Sequence, residues 1–204
     1  MTVAIKTLTA TALALAAFGA QAAPNLVVNG SFEADAQAAG TWNIYSNLTG
    51  WTGQNNIELR NNVSGTAQNG VNFVELDTNA NNSMVQNIAA AAGDYYLSFW
   101  YSARPGVAAG SNGVSFSFGS LSGTVLAATA GTNVNVWQQY VAKVHLTGAT
   151  QLTFSAVQLS DSLGGSLDNV SVTAVPEPES YALMLAGLGL MGAVARRRNQ
   201  SKAV

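Results

Sequence analysis

The chain has 204 residues, of which only 9% are charged, and it contains no cysteine. This length fits one substantial domain or two small ones, and the lack of cysteine excludes disulfides, thiolate metal sites and a cysteine nucleophile. Residues 23–175 carry three cationic side chains against eight carboxylates, an acidic balance that repels phosphate backbones and argues against nucleic acid as a partner.

The first 22 residues have the three parts of a secretory signal peptide. Lys6 supplies the positive charge, Leu8–Gly19 is a short apolar run, and Ala20-Gln21-Ala22 is an A-x-A cleavage site. We predict cleavage after Ala22 and export through the inner membrane. The alternative is a buried N-terminal helix.

The middle of the chain, residues 23–175, is expected to form one β-sandwich domain. Short runs rich in Val, Phe, Tyr and Thr are separated by Asn-Gly, Gly-Asp and Gly-Gly turn signals. Many short strands without intervening helices predict an all-β sandwich or barrel. The predicted strands are Leu26–Val28, Ile57–Arg60, Val71–Leu76, Met84–Ile88, Tyr95–Ala103, Val114–Phe118, Trp137–Leu146, Gln151–Val157 and Leu167–Val172.

Alternation is clearest from Tyr95 to Arg104. Successive residues of a strand point to opposite faces, so Tyr95, Leu97 and Phe99 are predicted to face the core. Trp100 and Arg104 then lie on the opposite surface.

Six strings in this region resemble the galactose-binding-like jelly roll that many carbohydrate-binding modules share. The resemblance rests on their order along nearly the whole middle of the chain, and it implies a jelly-roll sandwich. The strings are Asn29-Gly30-Ser31-Phe32-Glu33, Gly50-Trp51, Phe73-Val74-Glu75-Leu76-Asp77, Tyr96-Leu97-Ser98-Phe99, Ala103-Arg104 and Leu167-Asp168-Asn169-Val170-Ser171-Val172.

The resemblance also implies one structural Ca²⁺, held where the first and last strands meet. Glu33 and Asp168 occupy the matching positions, with backbone oxygens near Asn29–Ser31. Calcium takes six to eight oxygen ligands from carboxylates, carbonyls and water. Alternatively, both carboxylates cap turns by accepting backbone N–H groups.

A glycan site needs aromatic faces and a few fixed polar groups. The predicted ligand-binding residues are Trp100, Arg104, Glu75, Asp77 and Trp51, and Trp42 and Trp137 are further aromatic candidates. Tryptophan also packs in cores, and Arg104 can instead be the structural partner of Glu75 or Asp77.

Catalysis is not expected. His145 lies two residues after Lys143 on a predicted strand, so both side chains point to the same face, which is predicted to face solvent. Nothing in the sequence indicates a serine partner for His145. Glycoside hydrolysis needs two carboxylates at a set separation. Glu58, Glu75, Asp77 and Asp161 are the residues that would supply them.

The C-terminus combines three features. Pro176-Glu177-Pro178 interrupts regular structure, Tyr181–Ala195 is uncharged and apolar, and Arg196-Arg197-Arg198 follows at once. As a helix the apolar run would rise about 22 Å, short of a hydrocarbon core of about 30 Å. A transmembrane helix of this length would therefore anchor the chain in the membrane only marginally, with the arginines on the cytoplasmic side.

This tail, residues 176–200, resembles the PEP-CTERM sorting signal. The resemblance implies an exosortase substrate in a Gram-negative bacterium that makes exopolysaccharide, secreted to the cell envelope, cell surface or extracellular matrix. Secretion machinery and, at least transiently, the membrane are the other implied partners. A permanent membrane anchor is the alternative.

The sequence thus favours an exported, non-enzymatic jelly roll that binds carbohydrate or a polysaccharide matrix. A self-associating structural protein of the matrix or biofilm is the alternative, and a glycoside hydrolase is a third possibility. Ice binding is not expected, because residues 24–175 contain no Thr-x-Thr array.

Overall fold

The computed structural model describes residues 23–126, 134–176 and 185–193. Residues Pro24–Val175 form one compact unit. The predicted signal peptide, Glu177, Pro178 and the three arginines of the tail lie outside the described residues. Residues 185–193, part of the predicted apolar helix, are helical. In the described part of the chain, no helix is long and apolar enough to cross a membrane.

Ten antiparallel strands build the described part of the compact unit, together with one 3-10 turn at Ala109–Ser111. The strands are β1 Trp42–Leu48, β2 Trp51–Asn61, β3 Asn72–Glu75, β4 Ser83–Ile88, β5 Gly93–Ser102, β6 Gly113–Phe118, β7 Leu121–Leu126, β8 Gln138–Leu146, β9 Thr150–Val157 and β10 Ser166–Ala174.

The strands run in the order β7-β6-β9-β4-β2-β3-β10-β5-β8, with β1 paired to β2. Strand β2 belongs to two sheets. Its start pairs with β4 at Thr52 and Gly53, whereas its end pairs with β3 from Glu58 to Asn61. The first sheet is therefore β7, β6, β9, β4 and the start of β2. The second sheet is the end of β2 followed by β3, β10, β5 and β8.

The two sheets pack face to face around an aromatic core. The ring of Phe99 on β5 lies 5.2 Å from Phe116 and 5.0 Å from Phe154, both on the first sheet. Tyr140 on β8 lies 4.6 Å from Phe116. Tyr95, Leu97 and Phe99 are buried, as predicted. The prediction of an all-β jelly-roll sandwich is confirmed.

The strand predictions are wrong at three places. Residues 26–28 form no strand, although Leu26 N–H donates to Val172 O at 2.9 Å. Strand β1, WNIYSNL, was missed because it is a mostly exposed edge strand with little hydrophobic alternation. Strand β7, LSGTVL, was missed because glycine and serine weaken its β signal.

Two loops cover the outward face of the second sheet. Residues 62–71 and 134–137 contact each other, since Trp137 Nε1 donates to Thr66 O at 2.9 Å and Thr66 N–H donates to Asn135 Oδ1 at 2.8 Å. Val136 N–H reaches Ser102 Oγ on β5 at 3.0 Å. Outward polar side chains beneath these loops, such as Ser102 and Asp168, are consequently buried, which sets the environment of the candidate site.

Candidate functional site

A buried chain of four charges lies on the outward side of β2 and β3. Arg60 Nε is 2.6 Å from Glu58 Oε1, and Arg60 also pairs with Glu75. Arg104 Nη1 is 3.2 Å from Glu75 Oε2. Burial raises the pKa of Glu75 to about 8, although the two guanidinium groups act in the opposite direction. The network joins the second sheet to the start of the loop that follows β5.

Glu75 and Asp77 accept hydrogen bonds from the backbone of a loop. Both residues are fully buried. Glu75 Oε1 accepts the N–H of Gly164 at 2.6 Å. Asp77 Oδ2 accepts the N–H groups of Asp161 and Ser162, each at 3.0 Å. These carboxylates, predicted to bind ligand, instead fix the segment that leads into β10.

Arg104 is paired with Glu75, which is one of the two structural partners considered for it. Its side chain is 18% exposed, and Nη1 also donates to Ser162 O at 3.2 Å. The guanidinium therefore borders solvent while one of its nitrogens is committed to the protein.

Trp51 lies in the core and not at a surface site. It is 1% exposed, and its ring lies 6.0 Å from Phe32 and 6.1 Å from Phe154. Its Nε1 donates to Asn29 O at 3.2 Å. The indole ring packs against aromatic side chains and its N–H group is hydrogen-bonded. A sugar could therefore reach Trp51 only if the two sheets separated.

Trp100 lies on the outward face of the second sheet and is half-buried. In the strand register it stands opposite Gln139 of β8 on one side and Asp168 of β10 on the other. Gln139 Nε2 donates to Ser98 Oγ at 2.9 Å. We call Ser98, Trp100 and Gln139 the Trp100 patch. It presents an aromatic ring beside an amide and a hydroxyl, the combination that orients a sugar ring.

Gln139 was not found from the sequence. Its place beside Trp100 depends on β5 pairing with β8, and no local pattern specifies that pairing. The same holds for Asn169 and Gln68, whose side chains are joined by a 2.8 Å hydrogen bond at the neighbouring bulge of β10.

The two other candidate tryptophans lie outside the Trp100 patch. Trp137 makes an edge contact with Phe73, and the ring centroids are 6.0 Å apart. Trp42 is 53% exposed at the start of β1.

The predicted calcium ligands are used by the protein itself. Glu33 Oε1 accepts the N–H groups of Val71 and Asn72 at 2.9 and 2.6 Å. Asp168 Oδ2 accepts those of Gln68 and Asn69 at 2.8 and 2.9 Å. Both carboxylates thus clamp the 62–71 loop.

The backbone oxygens expected at this metal site are also engaged. Gly30 O accepts Val170 N–H at 2.8 Å, and Asn29 O accepts Phe32 N–H at 3.2 Å. In the described ranges, no group of three or more acidic or histidine side chains could hold a metal ion. Burial raises the pKa of Asp168 to about 7. These hydrogen bonds support the alternative of loop capping, and calcium binding by Glu33 and Asp168 stays a prediction.

The fold and the patch define a β-sandwich domain with an uncharged aromatic surface patch, and the tail adds a specific sequence match. Residues 174–198 match the PEP-CTERM protein-sorting motif. The motif indicates an exported protein that is sorted through exosortase in a Gram-negative bacterium.

Several solved structures show a distant similarity in chain path. A family 61 carbohydrate-binding module, TmCBM61, in complex with β-1,4-galactotriose has 18% identity and a TM-score of 0.44, covering 74% of this chain and 99% of the module. A family 35 carbohydrate-binding module from Clostridium thermocellum has 16% identity and a TM-score of 0.44, covering 66% and 99%. The K2 cleaved adhesin domain of Lys-gingipain has 14% identity and a TM-score of 0.45, covering 70% and 96%. No curated protein sequence matches the chain.

Proposed function

We propose that the protein is an exported, surface-sorted and non-enzymatic β-sandwich that binds carbohydrate, such as the polysaccharide of the extracellular matrix, through the Trp100 patch. The observation that carries this proposal is the half-buried indole of Trp100 beside the Gln139 amide and the Ser98 hydroxyl. The sorting motif supports delivery of the domain to the cell surface.

The chemistry of the patch suits a sugar. A pyranose ring has an apolar side that packs on an aromatic face and hydroxyl groups that bond to amides and hydroxyls. The patch contains no charged side chain, although Asp168 lies beside it under the 62–71 loop. Half-burial holds the indole in place, so binding does not require the ordering of a free side chain.

The environment of the carboxylates argues against hydrolysis. A glycosidase needs two carboxyl groups that face the same bond of the substrate. Glu58, Glu75 and Asp77 are buried and bonded within the protein. Asp161 is exposed and accepts Ser111 Oγ at 2.8 Å. Hydrolysis of a polysaccharide, abolished by a single carboxylate-to-amide change, would overturn the non-enzymatic assignment.

The test is a screen of the full chain against a glycan array and uncharged and acidic polysaccharides, with and without calcium. We expect saturable binding with a change in tryptophan fluorescence, and this fluorescence change should be lost on Trp100→Ala and weakened on Gln139→Ala. Trp42→Ala is the matched control, because Trp42 is exposed outside the patch. Silence from the folded protein, or a fluorescence change on binding that persists in Trp100→Ala, would contradict the proposal.

A second function, self-association in a structural matrix, is favoured by the edge strand β7. This strand pairs with β6 in unbroken register over six residues, and it contains no charge and no proline. Proteins usually guard such edges with charges, prolines or bulges. Concentration-dependent assembly without sugar, abolished by Thr124→Lys, would replace carbohydrate binding as the leading function.

A further inference from the structure

The outward face of the first sheet has no charged side chain. The strand segments that build it are β4, β6, β7, β9 and residues 51–56 of β2, and they contain no Asp, Glu, Lys, Arg or His. The charged residues of 24–175 all lie in the rest of the domain. The second sheet, in contrast, carries Asp94, Lys143 and His145 in an exposed ion cluster on its outward side.

Hydroxyl groups replace the charges on this face, and the strand register aligns them in two rows. Each row runs across the strands, because cross-strand partners stand side by side on one face. We call these two rows the hydroxyl face. The first row is Thr124, Ser115, Ser155 and Ser83, and the second is Ser122, Ser117, Thr153, Val85 and Thr52.

The hydroxyl face is open. Thr52, Ser117, Ser122 and Thr124 are exposed, and the other members are half-buried. Neighbouring strands are about 4.8 Å apart, so each row offers a hydroxyl at roughly that interval. In the first row, Ser83 Oγ lies 2.8 Å from Ser155 Oγ, and Ser115 Oγ donates to Ser155 O at 3.4 Å. A hydroxyl can donate one hydrogen bond and accept two, so these groups keep acceptor capacity for a ligand. The face is thus a periodic set of neutral donors and acceptors.

We propose that the hydroxyl face is a second carbohydrate-binding surface, which takes a single uncharged polysaccharide chain laid across the strands. The interval between strands is close to the length of one sugar residue in an extended chain. Sugar hydroxyls are both donors and acceptors, so they can pair with the hydroxyls of each row. This surface does not rest on the Trp100 patch, which lies on the opposite sheet.

Other occupants fit the face less well. A second copy of the chain would need an apolar interface core, and Val85 is the one apolar member of the two rows. A charged polymer would lose hydration without finding an ion pair. A rigid plane such as ice or a crystal would lose register, because adjacent strands rotate by roughly 20–25°. A flexible chain that follows one row stays in contact.

The test is affinity electrophoresis of the full chain in gels that contain an uncharged glucan, galactan, mannan or xylan, with an acidic polysaccharide for comparison. The key variant is Thr153→Lys, which places a bulky charge at the centre of the second row. Thr153→Ser keeps the hydroxyl. Thr173→Lys is the matched control, because Thr173 is an outward threonine on β10 of the other sheet. The melting temperature of each variant verifies folding.

We expect retention by at least one uncharged polysaccharide that is insensitive to salt and survives Trp100→Ala. Thr153→Lys should weaken it by roughly tenfold, whereas Thr153→Ser and Thr173→Lys should retain it. Loss in Trp100→Ala alone would support the Trp100 patch and overturn the second surface. Retention by the acidic polymer only, or no retention by any gel, would also overturn it. So would ice shaping or self-association that Thr153→Lys abolishes, because either would assign the face to another occupant.

Discussion

The stability of the domain should fall as pH rises from 5 to 8, because two carboxyl groups are buried. The pKa of Asp168 rises from 3.8 to about 7 on folding, and that of Glu75 from 4.5 to about 8. The folded state therefore holds more protons than the unfolded state between these values, and stability falls wherever that is so. The contribution of Asp168 is complete below its unfolded pKa and is lost as pH rises through about 7.

The size of the change in the free energy of unfolding follows from the raised pKa values and from the pH range that is compared. One pKa unit corresponds to about 1.4 kcal/mol. Between pH 5 and pH 7 the folded state largely keeps the proton on Asp168 while the unfolded state has released it. This difference should lower the free energy of unfolding by up to roughly 3 kcal/mol, and Glu75 adds a loss of the same sign. Asp94 does not oppose the trend in this range, because hydrogen bonds from Lys143 and His145 lower its pKa. Its contribution is lost only in more acidic solution.

The assay is urea unfolding followed by tryptophan fluorescence at pH 5, 6, 7 and 8. Asp168→Asn should remove up to roughly 3 kcal/mol of the difference between pH 5 and pH 7. Gln68→Ala is the control, because it removes the side-chain contact of the same loop to Asn169 without changing a titratable group. Stability that rises with pH, or an unchanged slope in Asp168→Asn, would refute the reasoning.

Three further predictions concern stability. Arg60→Met should cost about 3–5 kcal/mol in urea unfolding at pH 9, above the pKa of Glu75, because it leaves the Glu75 carboxylate buried without one of its cations. A loss under about 1 kcal/mol would show that the pair is not structural. Trp51→Ala should cost about 3–5 kcal/mol, whereas Trp42→Ala should change stability by less than about 0.5 kcal/mol, and equal effects would contradict the assigned burial. Millimolar calcium or EDTA should leave the melting temperature unchanged, and a rise with calcium would show that the two loop-capping carboxylates bind the ion after all.

Local sequence patterns predicted the elements whose faces differ sharply. Strand β5 has apolar residues at alternate positions, and the alternation placed Phe99 inside and Trp100 outside. Strand β7 has no such contrast, since Val125 is its one buried residue and the neighbouring Leu126 is apolar but exposed. Its place is set by pairing with β6 and by Gly123, where a Cβ would lie 3.0 Å from the ring of Phe116.

The candidate sites depended on contacts between distant parts of the chain. Tryptophan is a residue type on which sugars stack, but Trp51 is buried because β2 packs against Phe32 and Phe154. The carboxylates of Glu75 and Asp77 likewise accept hydrogen bonds from backbone N–H groups that are 89 and 84 residues away in the sequence. The hydroxyl rows were invisible for the same reason, because each row takes at most one residue from each strand.

The order of the strands has a consequence for the timing of folding during export. Strand β10 is the last of the domain, yet it lies between β3 and β5 in the middle of the second sheet. Until Ser166–Ala174 is available, the second sheet has a gap at its centre. The sheet can be completed only when this segment, which ends where the sorting motif begins, pairs with β3 and β5.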